Sequence, residues 1–99
     1  MVNYHFSNKA IDDLNSIWLY TFENWSEQQA DFYYNEIIAA CKSISTSVIN
    51  TDREYIEIQK GLKCRRCHKH LIFYKLSSEN TAEIIRILHE KMDIENIIQ

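Results

Sequence analysis

The chain opens in alternation and then changes period. In VNYHF (2–6) the apolar residues Val2, Tyr4 and Phe6 fall on one side of an extended segment, the period-two pattern of a half-buried strand. Apolar positions then move to helical spacing: Ala10, Leu14, Ile17, Trp18 and Thr21 lie at i, i+4, i+7, i+8 and i+11, one face of a 3.6-residue period, with Ser7 placed to cap its start. This helix is expected to end around Trp25, because Ser26-Glu27-Gln28-Gln29 has the S-x-x-Q form of a capping box that begins another. Ala30, Tyr33, Ile37, Cys41, Ile44 and Val48 continue at helical spacing. So short a connection requires the two helices to run antiparallel, as a hairpin with Trp18 and Trp25 in its core; an exposed Trp25 would instead make a partner anchor.

After residue 49 the period shortens again. NTDRE (50–54) reads as a loop, and Gly61, the one glycine of the chain, as a turn position that needs positive φ. LKCRRC (62–67), KHLIFYKL (69–76) and AEIIRILH (82–89) are β-rich runs with short polar links, which form an antiparallel meander. The last two runs carry apolar residues on both faces (Ile72 opposite Phe73, Ile84 opposite Ile85), so they should be central strands. The tail MDIENIIQ is expected to add a helical turn capped by Asp93. The predicted fold is α+β: an N-terminal strand, a helical hairpin, then a three-stranded antiparallel meander, with the hairpin packed on one face of the sheet.

Ninety-nine residues suit one domain that buries roughly 65% of its unfolded surface. No apolar run approaches the ~18 residues of a membrane span, and MVNYHFSNK lacks a signal-peptide core, so a cytoplasmic protein without membrane association is expected. The net charge of −3 hides an asymmetry. Residues 1–50 hold two basic and six acidic side chains, whereas 60–75 hold six Lys or Arg (Lys60, Lys63, Arg65, Arg66, Lys69, Lys75) and no acid. Such a stripe can steer an anionic partner, or can be a solvated strand edge that discourages aggregation.

CRRCHKH (64–70) satisfies the C-x-x-C-H pattern of covalent haem attachment and suggests zinc ligation. Strand parity argues against both. Cys64 and Cys67 occupy an even and an odd position, so their side chains leave opposite faces of a strand, and no glycine intervenes to fold them together. No metal site and no cofactor are expected. Arg86, inside an apolar strand, must either be functional or pair with a helix acid such as Asp13. His70 reads as a hydrogen-bonded structural histidine, Met92 as a core candidate, and Asp93 as a cap.

Three stretches together carry a resemblance: SNKAIDDLNSIWLYTFENWSEQQADFYY, GLKCRRCHKHLIFYK and RILHEKMD. They resemble, in order, the helical hairpin, the G-L-R … G-R-H-x-I-F-Y-R hairpin and the R-I-L-H-x-x-M-D ending of the ParE branch of the RelE/ParE toxin superfamily, over about residues 4 to 98. Two departures are local: His68 stands where the family usually has glycine, and TSVINTDRE lacks the usual proline and glycine. The resemblance implies the toxin of a type II toxin–antitoxin module. Such a toxin is not itself an enzyme; it poisons DNA gyrase while the DNA is cut, and is neutralised in a hetero-oligomer with a ParD-like antitoxin. Arg65, Arg66, Lys69, Arg86, His89, Met92 and Asp93 are the candidate target-binding residues. The antitoxin site is left open between the uncovered sheet face and a groove beside the hairpin, where a disordered antitoxin tail would fold on an apolar patch.

The rival branch resembles RelE, whose members cleave messenger RNA on the ribosome. That chemistry needs a base, an acid and cations around a phosphate. His68, His70, Tyr74, Arg86, His89 and Lys91, with Arg65 and Arg66, are the candidates. The acidic balance and the lack of basic or aromatic residues after Lys91 favour the gyrase poison.

Overall fold

The computed structural model describes residues 3–46, 50–77 and 81–98. Val2 and Val48, both part of the predicted periodicity, lie outside them. The elements run β1 (Tyr4–Phe6), α1 (Asn8–Asn24), α2 (Glu27–Thr46), β2 (Lys63–Cys67), β3 (His70–Leu76), β4 (Ala82–His89) and α3 (Ile94–Ile98). This is the predicted α+β order, and the meander is antiparallel, with β3 and β4 central in a sheet of order β1-β4-β3-β2. The sequence pattern left the partner of the first strand open. It pairs parallel with β4, Tyr4 to Ala82 and Phe6 to Ile84.

Both helix starts follow the expected capping chemistry. Ser7 Oγ accepts from Ala10 N at 3.0 Å, and Ser26 Oγ accepts from Gln29 N at 3.0 Å. Without glycine or proline, α1 ends through polar side chains and the second cap: Asn24 Nδ2 donates to the Tyr20 carbonyl at 2.8 Å, and Trp25 N to the Thr21 carbonyl at 2.9 Å. Gly61 adopts φ 81°, as a tight turn requires, while its N–H donates to Glu54 Oε2 at 3.1 Å.

The sheet separates two apolar clusters. Ala10, Leu14, Ile37, Cys41 and Ile44 of the hairpin pack on Cys67, Ile72, Tyr74, Ala82, Ile84 and Ile87. On the opposite face Leu62, Phe73 and Leu88 are covered by Tyr55 and Ile58 from the α2–β2 connection and by Ile94, Ile97 and Ile98 of α3. The second face is therefore not left open for a partner, because the chain's own connection and tail lie over it. Asp93 precedes α3: its carbonyl accepts from Ile97 N, and its side chain takes the Asn96 amide at 2.6 Å. Met92 is exposed rather than part of the core.

Alternation in β4 breaks once. Phe73 pairs with Arg86 but Tyr74 pairs with Ile84, leaving Ile85 as the extra residue of a β-bulge. Ile84 and Ile87, three apart, consequently both face the hairpin, while Ile85 and Leu88 join the other cluster. The bulge lies where β1 has ended, so the β4 edge beyond Ile84 has no neighbouring strand. Side chains of the α1 segment supply the missing partners. Ser7 Oγ donates to the Ile85 carbonyl at 2.7 Å, and Asp13 Oδ2 accepts from Ile87 N at 3.0 Å.

The same Asp13 carboxylate grips Arg86 through both oxygens, from Nε at 2.7 Å and from Nη2 at 2.8 Å. Of the two sequence readings of Arg86, the internal ion pair is the one found. Its side chains are only 18% and 13% exposed, so solvent screens the pair weakly. Asp13→Ala would leave a guanidinium and a backbone N–H without acceptors, a loss on the order of 3 kcal/mol, and Asp13→Asn should lose less because one acceptor remains. Urea unfolding of the two variants measures the difference.

Candidate functional site

A groove of about 770 Å³ opens where the connected ends of α1 and α2 meet the β2–β3 turn and the end of β4. Helix residues Ile17, Tyr20, Thr21, Phe32 and Tyr33, with Trp25 of the connection, form one wall. His68, Lys69, His70, His89 and Met92 form the other. Trp25 is 76% exposed and Tyr20 66%, so the expectation that Trp25 sits in the hairpin core is corrected. The reason is local: Trp25 caps α1 at the tip, beyond the reach of the sheet. Trp18 is half-buried, stacked on Phe22 at 5.2 Å between ring centroids, with Nε1 donating to Asp31 Oδ1 at 3.0 Å.

The floor of the groove is a cluster of imidazoles around Tyr33. The Tyr33 hydroxyl and His70 Nδ1 share a hydrogen bond of 2.6 Å, so His70 is the hydrogen-bonded histidine expected. The His89 ring stands edge-on to His70 at 5.3 Å, and His68 lies 5.2 Å from Tyr33. Burial, then the neighbouring His89, pushes the His70 pKa down to about 4, so its ring is neutral at pH 7. Burial raises the Tyr33 hydroxyl pKa as well. His89 Nδ1 accepts from Lys91 N at 3.1 Å, which leaves Nε2 as the nitrogen that carries the proton when the ring is neutral. His68 holds φ 56° in the β2–β3 turn, and its Nε2 lies 3.2 Å from Glu36 Oε1.

The candidate target-binding residues do not form one patch. Lys69, His89 and Met92 line the groove. Arg66, exposed, pairs with Glu90 just past the end of β4, a side-chain contact that spans the intervening β3. Arg65 turns the other way. Its Nε meets Asp52 at 3.0 Å and its Nη1 the Ser43 hydroxyl at 2.8 Å, on the hairpin side of the sheet. The cationic stripe is thus not a single sheet face: the parity that separates the cysteines also separates the two arginines between them. Arg86 is bound to Asp13, and Asp93 belongs to the start of α3. Sequence reasoning named His68 only as a ribonuclease candidate and Trp25 only as an alternative anchor, and it missed Tyr20, Phe32 and Tyr33 as site residues. The aromatic positions of the hairpin outside its core face were the available signal.

Tyr74 is fully buried, with its hydroxyl bonded to Asp52 and receiving the Asn50 amide at 2.8 Å. Burial followed by the Asp52 contact raises its pKa. Cys64 and Cys67 face opposite clusters, as parity requires. Burial raises both thiols, Cys64 to about 11, and keeps them in the protonated form that neither ligates nor attacks well. Among the described residues no three His, Cys, Asp or Glu side chains are grouped to hold a metal ion, and no helix is long and apolar enough to cross a membrane.

This architecture is that of toxin–antitoxin proteins of known structure. The chain is similar to a chain of the chromosomal ParDE TA system from P. aeruginosa, with a TM-score of 0.74 and 16% identity over 90% of this chain and 96% of that one. It also resembles a chain of the YoeB–YefM complex from Staphylococcus aureus, with a TM-score of 0.60 and 21% identity over 90% and 97%. A family model described as the ParE toxin of the type II toxin–antitoxin system, parDE, matches residues 4–94, and the chain belongs to that family. Relatives include Toxin ParE1 of Mycobacterium tuberculosis, 29% identical over 92 residues and 93% of each chain. Toxin ParE1 of Caulobacter vibrioides is 29% identical over 93 residues and 94% of each.

The depressed His70 pKa has a pH signature. The unfolded chain holds this proton below about 6.5, the folded chain only below about 4, so stability is full above pH 6.5 and declines as the pH falls toward 4. Replacing His70 with Gln should flatten that part of the profile, as read by urea midpoints across the range. A second outcome follows from the strained turn. His68→Gly should hold or raise the melting temperature, because glycine carries positive φ without steric cost.

Proposed function

We propose that this toxin acts by poisoning DNA gyrase and is held inactive by a ParD-like antitoxin. The observation that carries the reading is the pairing of the groups a ribonuclease would need. Arg86 is bound to Asp13, Arg65 to Asp52 and Ser43, Arg66 to Glu90, and Tyr74 is buried on Asp52 and Asn50. Among the described residues the arginines are thus engaged within the chain rather than gathered around a phosphate position, whereas the groove offers broad, exposed aromatic and apolar surface, suited to binding a protein. Family membership and the ParE1 relatives point the same way. The YoeB–YefM likeness is one of fold. A hetero-oligomer with antitoxin agrees with the ParDE and YoeB–YefM assemblies in which the similar chains are found.

Within this reading, Arg66 and Lys69 at the β2–β3 turn face gyrase and its cut DNA, with His89 and Met92 beside them. Arg65, Arg86 and Asp93 position these neighbours through internal contacts. A ribonuclease reading keeps one observation of its own, the Tyr33–His70–His89 cluster, in which a neutral imidazole could take a proton.

Purified toxin assayed in parallel for gyrase supercoiling and for translation in vitro separates the two. Loss of supercoiling with accumulation of cleaved DNA, translation being intact, is the expected result. Arg66→Glu with Lys69→Glu should weaken gyrase inhibition by about tenfold while the protein still folds. Ribosome-dependent mRNA cleavage abolished by His70→Ala or His89→Ala, with supercoiling untouched, would sink the gyrase reading.

A further inference from the structure

Charge is unevenly distributed between the two layers of the fold. From Ala10 to Cys41, most of the helical hairpin, there are six acidic side chains and no lysine or arginine. Asp13 and Glu36 are engaged, with Arg86 and with His68, while Asp12, Glu23, Glu27 and Asp31 are exposed. Helix α1 also carries a second apolar stripe, turned away from its buried positions Ala10 and Leu14 and lying outside the groove. Exposed Ile11, Leu19 and Phe22 fall at i, i+8 and i+11, with Asp12 and Glu23 along one side. Two cations come together at one end of the sheet instead. Lys69 in the β2–β3 turn and Lys91 just past β4 are exposed and make no ion pair among the described residues. The Glu90 N–H donates to the Lys69 carbonyl at 2.9 Å, which ties the two segments together, and Arg66 stands beside them on Glu90.

We propose that the toxin docks at the boundary between gyrase and the DNA it holds, with Lys69, Lys91 and Arg66 on the phosphates and the outer stripe of α1 on the protein. The inference rests on the gyrase reading and names the part of that complex which is bound. A protein that holds DNA presents cationic surface beside a polyanion, because phosphate neutralisation supplies much of its affinity. Such a boundary has a negative and a positive side, and this molecule carries the complementary pair. The acidic stripe is repelled by DNA but suits a basic protein surface, with Ile11, Leu19 and Phe22 as the apolar contact. The lysine pair suits phosphate for the converse reason. Neither half is strong alone. A few cations on a chain of net charge −3 hold free DNA weakly, and a stripe of three apolar side chains falls short of a standard protein interface. Because one folded domain carries both, the second contact becomes intramolecular once the first is made, and the complete boundary is bound more tightly than either side of it. A ligand with that preference shifts the enzyme toward the state in which DNA is engaged, which is how a binder without chemistry of its own arrests it.

The test measures binding of labelled toxin to gyrase alone, to linear duplex DNA alone, and to the two together. The combined complex should be bound at least about tenfold more tightly than either component. Lys69→Gln with Lys91→Gln should weaken the combined complex and reduce the slope of log affinity against log salt by about one for each lysine removed. Leu19→Ser and, separately, Glu23→Lys should each lower affinity for the combined complex by about tenfold. All four side chains are exposed, so the variants should fold, as circular dichroism would show. Equal affinity for gyrase with and without DNA overturns the proposal, as does equal affinity for DNA with and without gyrase. Wild-type affinity for the combined complex in both folded α1 variants also sinks it. In each of these outcomes supercoiling is still inhibited and the gyrase reading stands. Supercoiling left intact by the wild-type toxin would refute that reading instead.

Discussion

One carboxylate connects the two halves of this fold. Asp13, in the second turn of α1, accepts two hydrogen bonds from Arg86 and a third from the Ile87 amide, all on the unpaired edge of β4. An edge strand needs some answer to its exposed amides, and a third strand residue alongside would be the ordinary one. Here β1 stops at Phe6, the chain turns into a helix at Ser7, and the helix itself completes the edge. Placement of α1 then determines that of α2 through the short tip, and the tip sets the outer wall of the groove. The bulge at Ile85 belongs to the same arrangement, since it lets Ile84 and Ile87 both face the hairpin while Arg86 reaches Asp13.

Much of this was legible in the residues. Helical spacing and Ser7 and Ser26 located the hairpin, and the apolar doublets of β3 and β4 marked them as central. A buried arginine inside an apolar strand announced its need for an acid, and Asp13 was identifiable as one. What could not be read was set by distant pairing. Three residues of alternation give no hint that β1 will lie parallel to a strand nearly eighty positions away. Nor does local pattern reveal that Tyr55, Ile58 and α3 lie over the second sheet face, because an irregular connection and a five-residue helix are too short to say which surface they cover.

The candidate site was harder to read, for related reasons. A stripe of cations in sequence became two opposed sets in space once β2 formed, with Arg65 held on the hairpin side and Arg66 beside Glu90. Trp25 looked like a core residue because of its size, yet its place is decided by the helix termination it provides. The histidines of the turn and of β4 come together with Tyr33 only when three elements pack. The ending RILHEKMD, by contrast, carried the family in the sequence, and its structural duties are mixed: Arg86 is bound internally, His89 and Met92 line the groove, and Asp93 starts α3.

The parallel pairing of β1 with β4 also bears on how the toxin comes into being. Tyr4 meets Ala82, and Ser7 binds the Ile84 and Ile85 carbonyls, so nearly the whole chain separates partners that must touch. Pairing at such separation is slow to form, because the closure entropy of the long loop precedes any reward. On the ribosome the helical hairpin can assemble early from local contacts, with its acidic aromatic tip complete. The sheet, and with it the cationic turn's final setting beside β4, must wait until residues 82–89 have emerged. A nascent chain therefore completes the helical wall of the groove before it has built the turn and strand end that form the opposite one.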